Sequence, residues 1–261
     1  MKKIFVLFNG ISAPWRITTF ALNIAKSNSA AIHVLFLKDE VLDYPYPSDI
    51  ASVQKDYTPK REKADNKKLE EKNIALFKTF CDDEKVVCYF DKDVSLKKLA
   101  NFSTDADIVI TDSHNHFQRY ALEDILSGAT VPVCLISTNA TEIKTNILLY
   151  DGTDNAIHAI ETYSHLFPNL CDKKSFILII NEGKIIKPPS KSVFQKFTNV
   201  RGVSLSGNLE EKLVEFLDGY SKNTTVVTGA FRRSAISWLF KPSLSNIIIN
   251  QSTTSLFIAH T

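Results

Sequence analysis

A repeated pattern of apolar runs constrains the fold of this chain more than any other sequence feature. When the 261-residue sequence is shifted by 142 positions, Ile4–Gly10 lies over Asn146–Gly152, and Val34–Leu37 lies over Phe176–Ile179. Few residues are identical, so the repeat consists of two strand-like runs that keep one spacing without a gap. Self-similarity at a fixed spacing is typical of a duplicated structural unit.

In each half, apolar runs alternate with helical patterns. Most runs are continuous, which is typical of strands covered on both faces. The predicted strands are Ile4–Phe8, Ile32–Leu37, Val86–Phe90, Ile108–Thr111 and Val131–Ile136 in the first half, and Ile147–Tyr150, Phe176–Ile180, Val200–Leu205, Thr225–Thr228 and Leu256–Ala259 in the second. Strands separated by helices favour parallel βαβ units with right-handed crossovers.

The predicted fold class is therefore α/β, with two tandem, Rossmann-like domains at residues 1–140 and 141–261. Each is expected to hold a doubly wound sheet of five parallel strands in the order 3-2-1-4-5. The join at residues 137–145 is short and polar, typical of a linker with little slack. We expect two separate sheets, and one continuous sheet of ten strands would contradict the duplication.

Helix starts and faces follow from local patterns. Ser12 is a predicted helix cap with Pro14 in the first turn, and Asp154 is the predicted cap at the matching place in the second half. Apolar faces at helical spacing are predicted for two further helices. Their residues are Leu69, Leu76, Phe77 and Phe80 in one helix, and Leu209, Leu213, Phe216, Leu217 and Tyr220 in the other.

Composition narrows the classes of function. The formal net charge of +2 argues against a dedicated nucleic-acid binder, and no apolar stretch reaches the roughly 18 residues of a membrane helix. Cys81, Cys88, Cys134 and Cys171 form no C-x-x-C pair, and two of them lie in apolar runs. We therefore expect free core thiols in a reducing cytoplasm.

Ligands of open parallel sheets bind beyond the carboxyl ends of the strands, so the segments after strands one and four carry the candidate site. In the second half, Asp151 and Gly152 follow strand one, and Gly229 ends strand four. The loop after Gly229 carries Arg232 and Arg233. An acid at a strand end can accept hydrogen bonds from a ligand, although Asp-Gly also favours a simple turn.

These segments resemble the nucleotide loop of the universal stress protein family, whose motif is G-x2-G-x9-G-[S/T]. Gly229 matches the first glycine and Ser243 the final hydroxyl, whereas Arg232 and Pro242 stand at the other two glycines. Ser245 fits a common second serine. The family's glycines let the backbone approach a triphosphate, and its hydroxyls and helix N-terminus bind phosphate oxygens. In the resemblance, Asp151 matches the first-strand acid that holds adenosine.

The departures from the motif have physical consequences. Pro242 lacks an N–H, so one anion-binding donor is lost, and Arg232 prevents a close backbone approach. The guanidinium groups of Arg232 and Arg233 can instead hold phosphate from the side, or be solvated. In the first half Asn9 replaces the acid, and residues 112–116, which follow the fourth strand, contain no glycine motif. The connection from the fourth to the fifth strand is also about five residues shorter than in the second half. No triphosphate is expected in the first half.

The resemblance implies a tandem, degenerate universal stress protein: a non-enzymatic regulatory or stress-response protein without a cofactor, whose nucleotide binding is weak or lost. The alternative is an ATP or AMP sensor that uses the second half only. Its contacts would be Asp151, Gly229, Arg232, Arg233, Ser243 and Ser245. An enzyme is disfavoured because no general base is placed near Ser243 or His114, and His114-x-His116 lacks a third metal ligand.

The resemblance also bears on partners. Single domains of the family dimerise through their last strands, so Val131–Ile136 and Leu256–Ala259 are expected to pair within one chain as an internal pseudo-dimer. A homodimer and an unidentified protein partner stay open. No nucleic acid and no membrane partner is expected.

Overall fold

The computed structural model describes residues 3–8, 15–37, 59–94, 105–112, 131–137, 142–180, 186, 190–205, 209–220, 223–229 and 254–259. Its strands are β1 Lys3–Phe8, β2 Ala31–Leu37, β3 Cys88–Val94, β4 Ile108–Asp112, β5 Val133–Ile136, β6 Thr145–Tyr150, β7 Lys174–Ile180, β8 Val200–Leu205, β9 Thr224–Gly229 and β10 Thr254–Ala259. Its helices are α1 Trp15–Asn28, α2 Pro59–Asp83, α3 Asp154–Leu166 and α4 Leu209–Tyr220, with 3₁₀ turns at Pro168–Leu170 and Lys191–Phe194. Every predicted strand is present, whereas the predicted cap Ser12 and the first-turn residue Pro14 lie outside the described residues.

The strands form one sheet in the order β3-β2-β1-β4-β5-β10-β9-β6-β7-β8. Counted inward from either edge the order is 3-2-1-4-5, so the predicted topology of each half is confirmed. The expectation of two separate sheets is wrong, because β5 and β10 pair antiparallel and join the halves. A continuous sheet is therefore compatible with duplication: each half covers the edge strand that the other would expose.

The join between the halves has local two-fold symmetry. Val133 pairs with Ile258, Leu135 pairs with Leu256, and Cys134 lies opposite Phe257. Exchanging the halves maps this ladder onto itself about the pair of Cys134 and Phe257. The boundary between residues 140 and 141 stays a prediction.

The repeat contains a one-residue gap that the sequence comparison missed. Val6 pairs with Val34 in the first half, and Leu148 pairs with Ile177 in the second. Val34 therefore corresponds to Ile177 rather than to Phe176, and both lie in the same core cluster while Phe176 lies in the other. A slip of one residue turns every side chain of a strand to the opposite face, so the alignment over β2 and β7 was wrong by one position.

The core consists of two apolar layers, one on each face of the sheet. Side chains of α1, α2 and α3 pack on one face, and α4 buries Leu213 and Leu217 on the other. The predicted face of α4 is confirmed at these two residues. The predicted apolar face of α2 is partly wrong: Phe77 is buried, but Leu69 and Leu76 are each 40% exposed. Among the described residues, no helix combines the length and the apolar character needed to cross a membrane.

The cysteine prediction holds for only two of the four residues. Cys81 at the end of α2 and Cys88 at the start of β3 form a disulfide, with their Cα atoms 6.4 Å apart. Cys134 and Cys171 are free and buried. Burial raises the pKa of both thiols, to about 11 for Cys171, so both are protonated at neutral pH. The expectation of a reducing cytoplasm rested on four free thiols, so the disulfide leaves it without that argument.

Reduction of the Cys81–Cys88 bond should lower the free energy of unfolding by about 2.5 kcal/mol, because the bond restricts the unfolded chain. The estimate is modest because the sequence separation is only 7. Urea unfolding, followed by circular dichroism with and without a phosphine reductant, measures the difference. The double variant Cys81→Ala/Cys88→Ala should not respond to the reductant. Identical curves for oxidised and reduced wild-type protein would contradict the cross-link.

Candidate functional site

The candidate site lies where β6 and β9 end side by side. These strands are parallel neighbours, and the order of the sheet reverses between them, since β7 follows β6 outward and β10 follows β9 inward. Such a switch point opens a crevice at the carboxyl ends of the strands. The topology places Asp151, which follows β6, and Gly229, which ends β9, at this crevice.

Asp151 is the outer member of a chain of hydrogen bonds that starts α3. The Oδ1 atom of Asp151 accepts hydrogen bonds from the Thr153 backbone N–H at 3.0 Å and from the Thr153 Oγ1 hydroxyl at 2.6 Å. Thr153 Oγ1 in turn accepts a hydrogen bond from the Ala156 N–H at 3.3 Å. Thr153 is therefore the cap of α3, and the prediction that Asp154 caps it was wrong by one residue.

The same helix start is acidic. Asp154 occupies the first turn of α3, where the positive end of the helix dipole stabilises a carboxylate. Burial, followed by the charges of Asp151 and Asp154, raises the pKa of the neighbouring Tyr150, which therefore stays protonated at neutral pH. Two acidic residues, Asp151 and Asp154, therefore lie at the start of α3.

Gly229 allows close packing of the protein against itself. A Cβ atom at this position would lie 2.6 Å from the backbone C and O atoms of Asn155 and 3.0 Å from the Ala156 nitrogen. The end of β9 thus packs directly against the first turn of α3. The contact shows that this glycine admits a helix, and its predicted contact with a ligand stays a prediction.

Ile186 is a residue at this site that the sequence analysis missed. Gly152 has a φ of +83°, and a Cβ atom there would lie 3.1 Å from Ile186 Cγ2. Ile186 is half-buried and packs against the core cluster on the α3 side. Its segment follows β7 and lacks apolar periodicity, so the sequence offers no indication of this contact.

The structure brings together only part of the predicted site. Asp151 and Gly229 both meet the first turn of α3, through Thr153 and Asn155 respectively. The other predicted residues of the second half lie outside the described residues; they are Arg232, Arg233, Pro242, Ser243 and Ser245. The first-half residues Asn9, His114 and His116 lie outside them as well. Within the described part of the chain, no group of three or more His, Cys, Asp or Glu side chains is arranged to hold a metal.

Comparisons with known proteins assign the fold. No protein-family model and no curated protein sequence matches the chain. A universal stress protein from Archaeoglobus fulgidus DSM 4304 superposes with a TM-score of 0.68 at 11% identity, covering 99% of this chain and 96% of that chain. A protein of the universal stress protein family from Burkholderia pseudomallei covers 51% of this chain and 92% of its own, at 15% identity and a TM-score of 0.37. The first of these similarities shows that the chain has the tandem α/β fold of a universal stress protein.

Proposed function

We propose that this chain is a non-enzymatic regulatory protein of the stress-response type, in which nucleotide binding is weak or lost. The observation that carries the proposal is that Asp151 and Gly229, the two motif residues within the described part of the site, both serve the start of α3. The ancestral site thus persists as a structural element. Nothing in this role requires a cofactor.

The hydrogen bonds from Thr153 oppose the use of the Oδ1 atom of Asp151 as a ligand atom. A ribose or amino group that claimed Asp151 Oδ1 would compete with the two bonds from Thr153. Losing them would leave Thr153, and with it the first turn of α3, less well capped. The binding energy of the ligand would have to offset this loss.

The packing of Gly229 opposes the approach of a phosphate chain. A glycine serves a triphosphate by leaving its surface open to the ligand. Here the space of the missing side chain is taken by Asn155 and Ala156 backbone atoms. The contact of Ile186 with Gly152 adds an apolar side chain beside the same crevice.

The described part of the crevice also lacks a nucleophile with a base. Thr153 carries the hydroxyl nearest to the carboxylate of Asp151, but that hydroxyl is used to cap α3. A hydroxyl activated for attack needs a general base that takes its proton and a third group that orients the base. This arrangement supports the non-enzymatic role that we propose.

The expected result of titrating the protein with ATP or AMP, with and without Mg²⁺, is no saturable binding in the micromolar range. Isothermal calorimetry measures this directly. Thermal unfolding adds a second measurement, since ligand at about 100 times its dissociation constant stabilises a protein by about 2.7 kcal/mol. Tripolyphosphate is the control for nonspecific attraction of polyanions to the loop arginines.

A micromolar affinity for ATP or AMP would overturn the proposal in favour of the sensor. The double variant Ser243→Ala/Ser245→Ala distinguishes the two cases. It should leave the unfolding temperature in millimolar ATP unchanged under our proposal, and should abolish a nucleotide-dependent rise if the second half is a sensor.

A further inference from the structure

A separate cavity lies at the seam between the two halves. It is a half-open cavity of about 200 Å³ between the stretch of α1 from Thr19 to Asn28 and residues 166–170 at the end of α3. Ile136 of β5, Ser255 of β10 and Ile143 also line it. The cavity thus uses residues from both halves and is distinct from the crevice beyond β6 and β9.

The walls of the cavity are held by contacts that cross the seam. The rings of Phe20 and Phe167 lie 6.0 Å apart. Asn28 Nδ2 donates a hydrogen bond to the Leu166 carbonyl at 3.4 Å, and Asn169 Nδ2 donates one to Ser27 Oγ at 3.0 Å. These bonds tie the end of α1 to the end of α3, so the cavity is preformed rather than a gap between independent units.

The surface of the lining is mostly apolar. Its apolar members are Phe20, Ile24, Ile136, Ile143, Leu166, Phe167, Pro168 and Leu170. The exposed Asn23 supplies an amide, and the buried hydroxyl of Ser255, which accepts a hydrogen bond from the Ser137 N–H at 3.1 Å, can still donate its proton. A concave site with mostly apolar walls and a few polar groups is typical of small-molecule binding.

The charges around the cavity restrict what it can hold. Glu142 is the one ionisable residue among the described residues of its lining. The Glu142 carboxylate pairs with Lys173 Nζ at 3.1 Å, and this hydrogen bond and charge lower its pKa, so it is ionised and already paired. A charged ligand would lose its hydration without finding an unpaired partner, which disfavours both carboxylates and amines.

We propose that this seam cavity binds a small uncharged molecule with an aromatic or branched apolar body and one hydroxyl or amide group. Size supports this class, because a cavity of about 150 Å³ lined by aliphatic and aromatic side chains accommodates benzene. The larger volume here leaves room for a short polar arm that reaches Asn23 or Ser255. A nucleotide would meet no cation for its phosphates in this lining.

Three probes of nearly equal shape test the proposal: benzyl alcohol, benzylamine and benzoate. Titrations of wild-type protein labelled at the isoleucine δ1-methyl groups would be followed by NMR. We expect benzyl alcohol to shift Ile24, Ile136 and Ile143 saturably, with millimolar affinity or tighter, while Ile147, in the core layer on the opposite face of the sheet, does not move. Benzylamine and benzoate should bind at least tenfold more weakly.

Two substitutions of one residue provide the matched variants. Asn23→Phe places a ring at the rim and should weaken benzyl alcohol binding at least tenfold, whereas Asn23→Ala keeps the cavity open and should weaken it less than fivefold. Equal binding of benzoate, saturable shifts elsewhere than the three isoleucines, or no saturation at all would each overturn the proposal. If Asn23→Phe does not fold, as judged by thermal unfolding, the methyl shifts of the wild type decide alone.

Discussion

Replacing Gly229 with alanine should destabilise the protein by about 3 kcal/mol, at the upper end of the usual cost of overpacking. The added Cβ atom would lie 2.6 Å from two backbone atoms of Asn155. Because those atoms belong to the first turn of α3, no side chain can rotate away, and the helix itself has to shift. Urea unfolding monitored by circular dichroism measures the loss.

Gly219 offers a matched control. It is the second-to-last residue of α4, and a Cβ atom there would meet nothing within 4 Å. Gly219→Ala should therefore not destabilise the protein, and should stabilise it by at most about 0.5 kcal/mol, since the full gain of alanine over glycine applies to the interior of a helix. If Gly229→Ala unfolded like the wild type, α3 would not pack on the end of β9, and the structural explanation of this glycine would fail.

Gly229 also shows why motif matching alone leaves function open. A glycine that admits a phosphate and a glycine that admits a helix are the same letter in the sequence. The difference depends on Asn155 and Ala156, residues more than 70 positions away, whose approach follows from the fold. The sequence therefore predicted the position of a close contact and left its partner undetermined.

The strands were predictable because their cause is local. Continuous apolar runs such as 147–150 favour strands buried on both faces, and the runs predicted as strands are strands in the structure. Helix capping is less sharply determined, since Thr153 and Asp154 are both good capping residues and neighbours. The choice between them depends on Asp151 Oδ1, which accepts two hydrogen bonds from Thr153.

Two features could not be predicted from the sequence, each for its own reason. Cys81 and Cys88 meet because the chain turns back at Lys85, which has a φ of +56°. This left-handed conformation is unusual for residues other than glycine. The gap between the repeats was hidden for a different reason: β2 and β7 are apolar on both faces, so a slip of one residue leaves the apolar pattern unchanged.

The largest single-residue effect is expected at the centre of the seam. Phe257→Ala should lower the free energy of unfolding by about 4 kcal/mol, within the range for fully buried phenylalanines. The side chain is 0% exposed, and its ring centroid lies 5.2 Å from that of Tyr163 and 5.7 Å from that of Phe167. Truncation would leave a cavity beneath α3, at the position where the two halves are joined.

Two control variants distinguish a stability loss specific to the seam from the loss that follows any removal of apolar volume. Phe257→Leu keeps most of the volume and should cost less than about 1.5 kcal/mol. Phe216→Ala removes an equal side chain from α4, where the ring is only half-buried and contacts Phe176 and Tyr220 on the other face of the sheet. It should cost clearly less than Phe257→Ala, because the rest of its surface already faces solvent.

The comparison of the two alanine variants decides whether the halves share one core. Phe257 belongs to the second half by sequence, but it lies opposite Cys134 of the first half in the antiparallel ladder. If the seam is a packed core, Phe257→Ala weakens both halves, and one cooperative transition should move as a whole. Equal costs for Phe257→Ala and Phe216→Ala, or two separate unfolding transitions, would contradict a shared packed core at the seam.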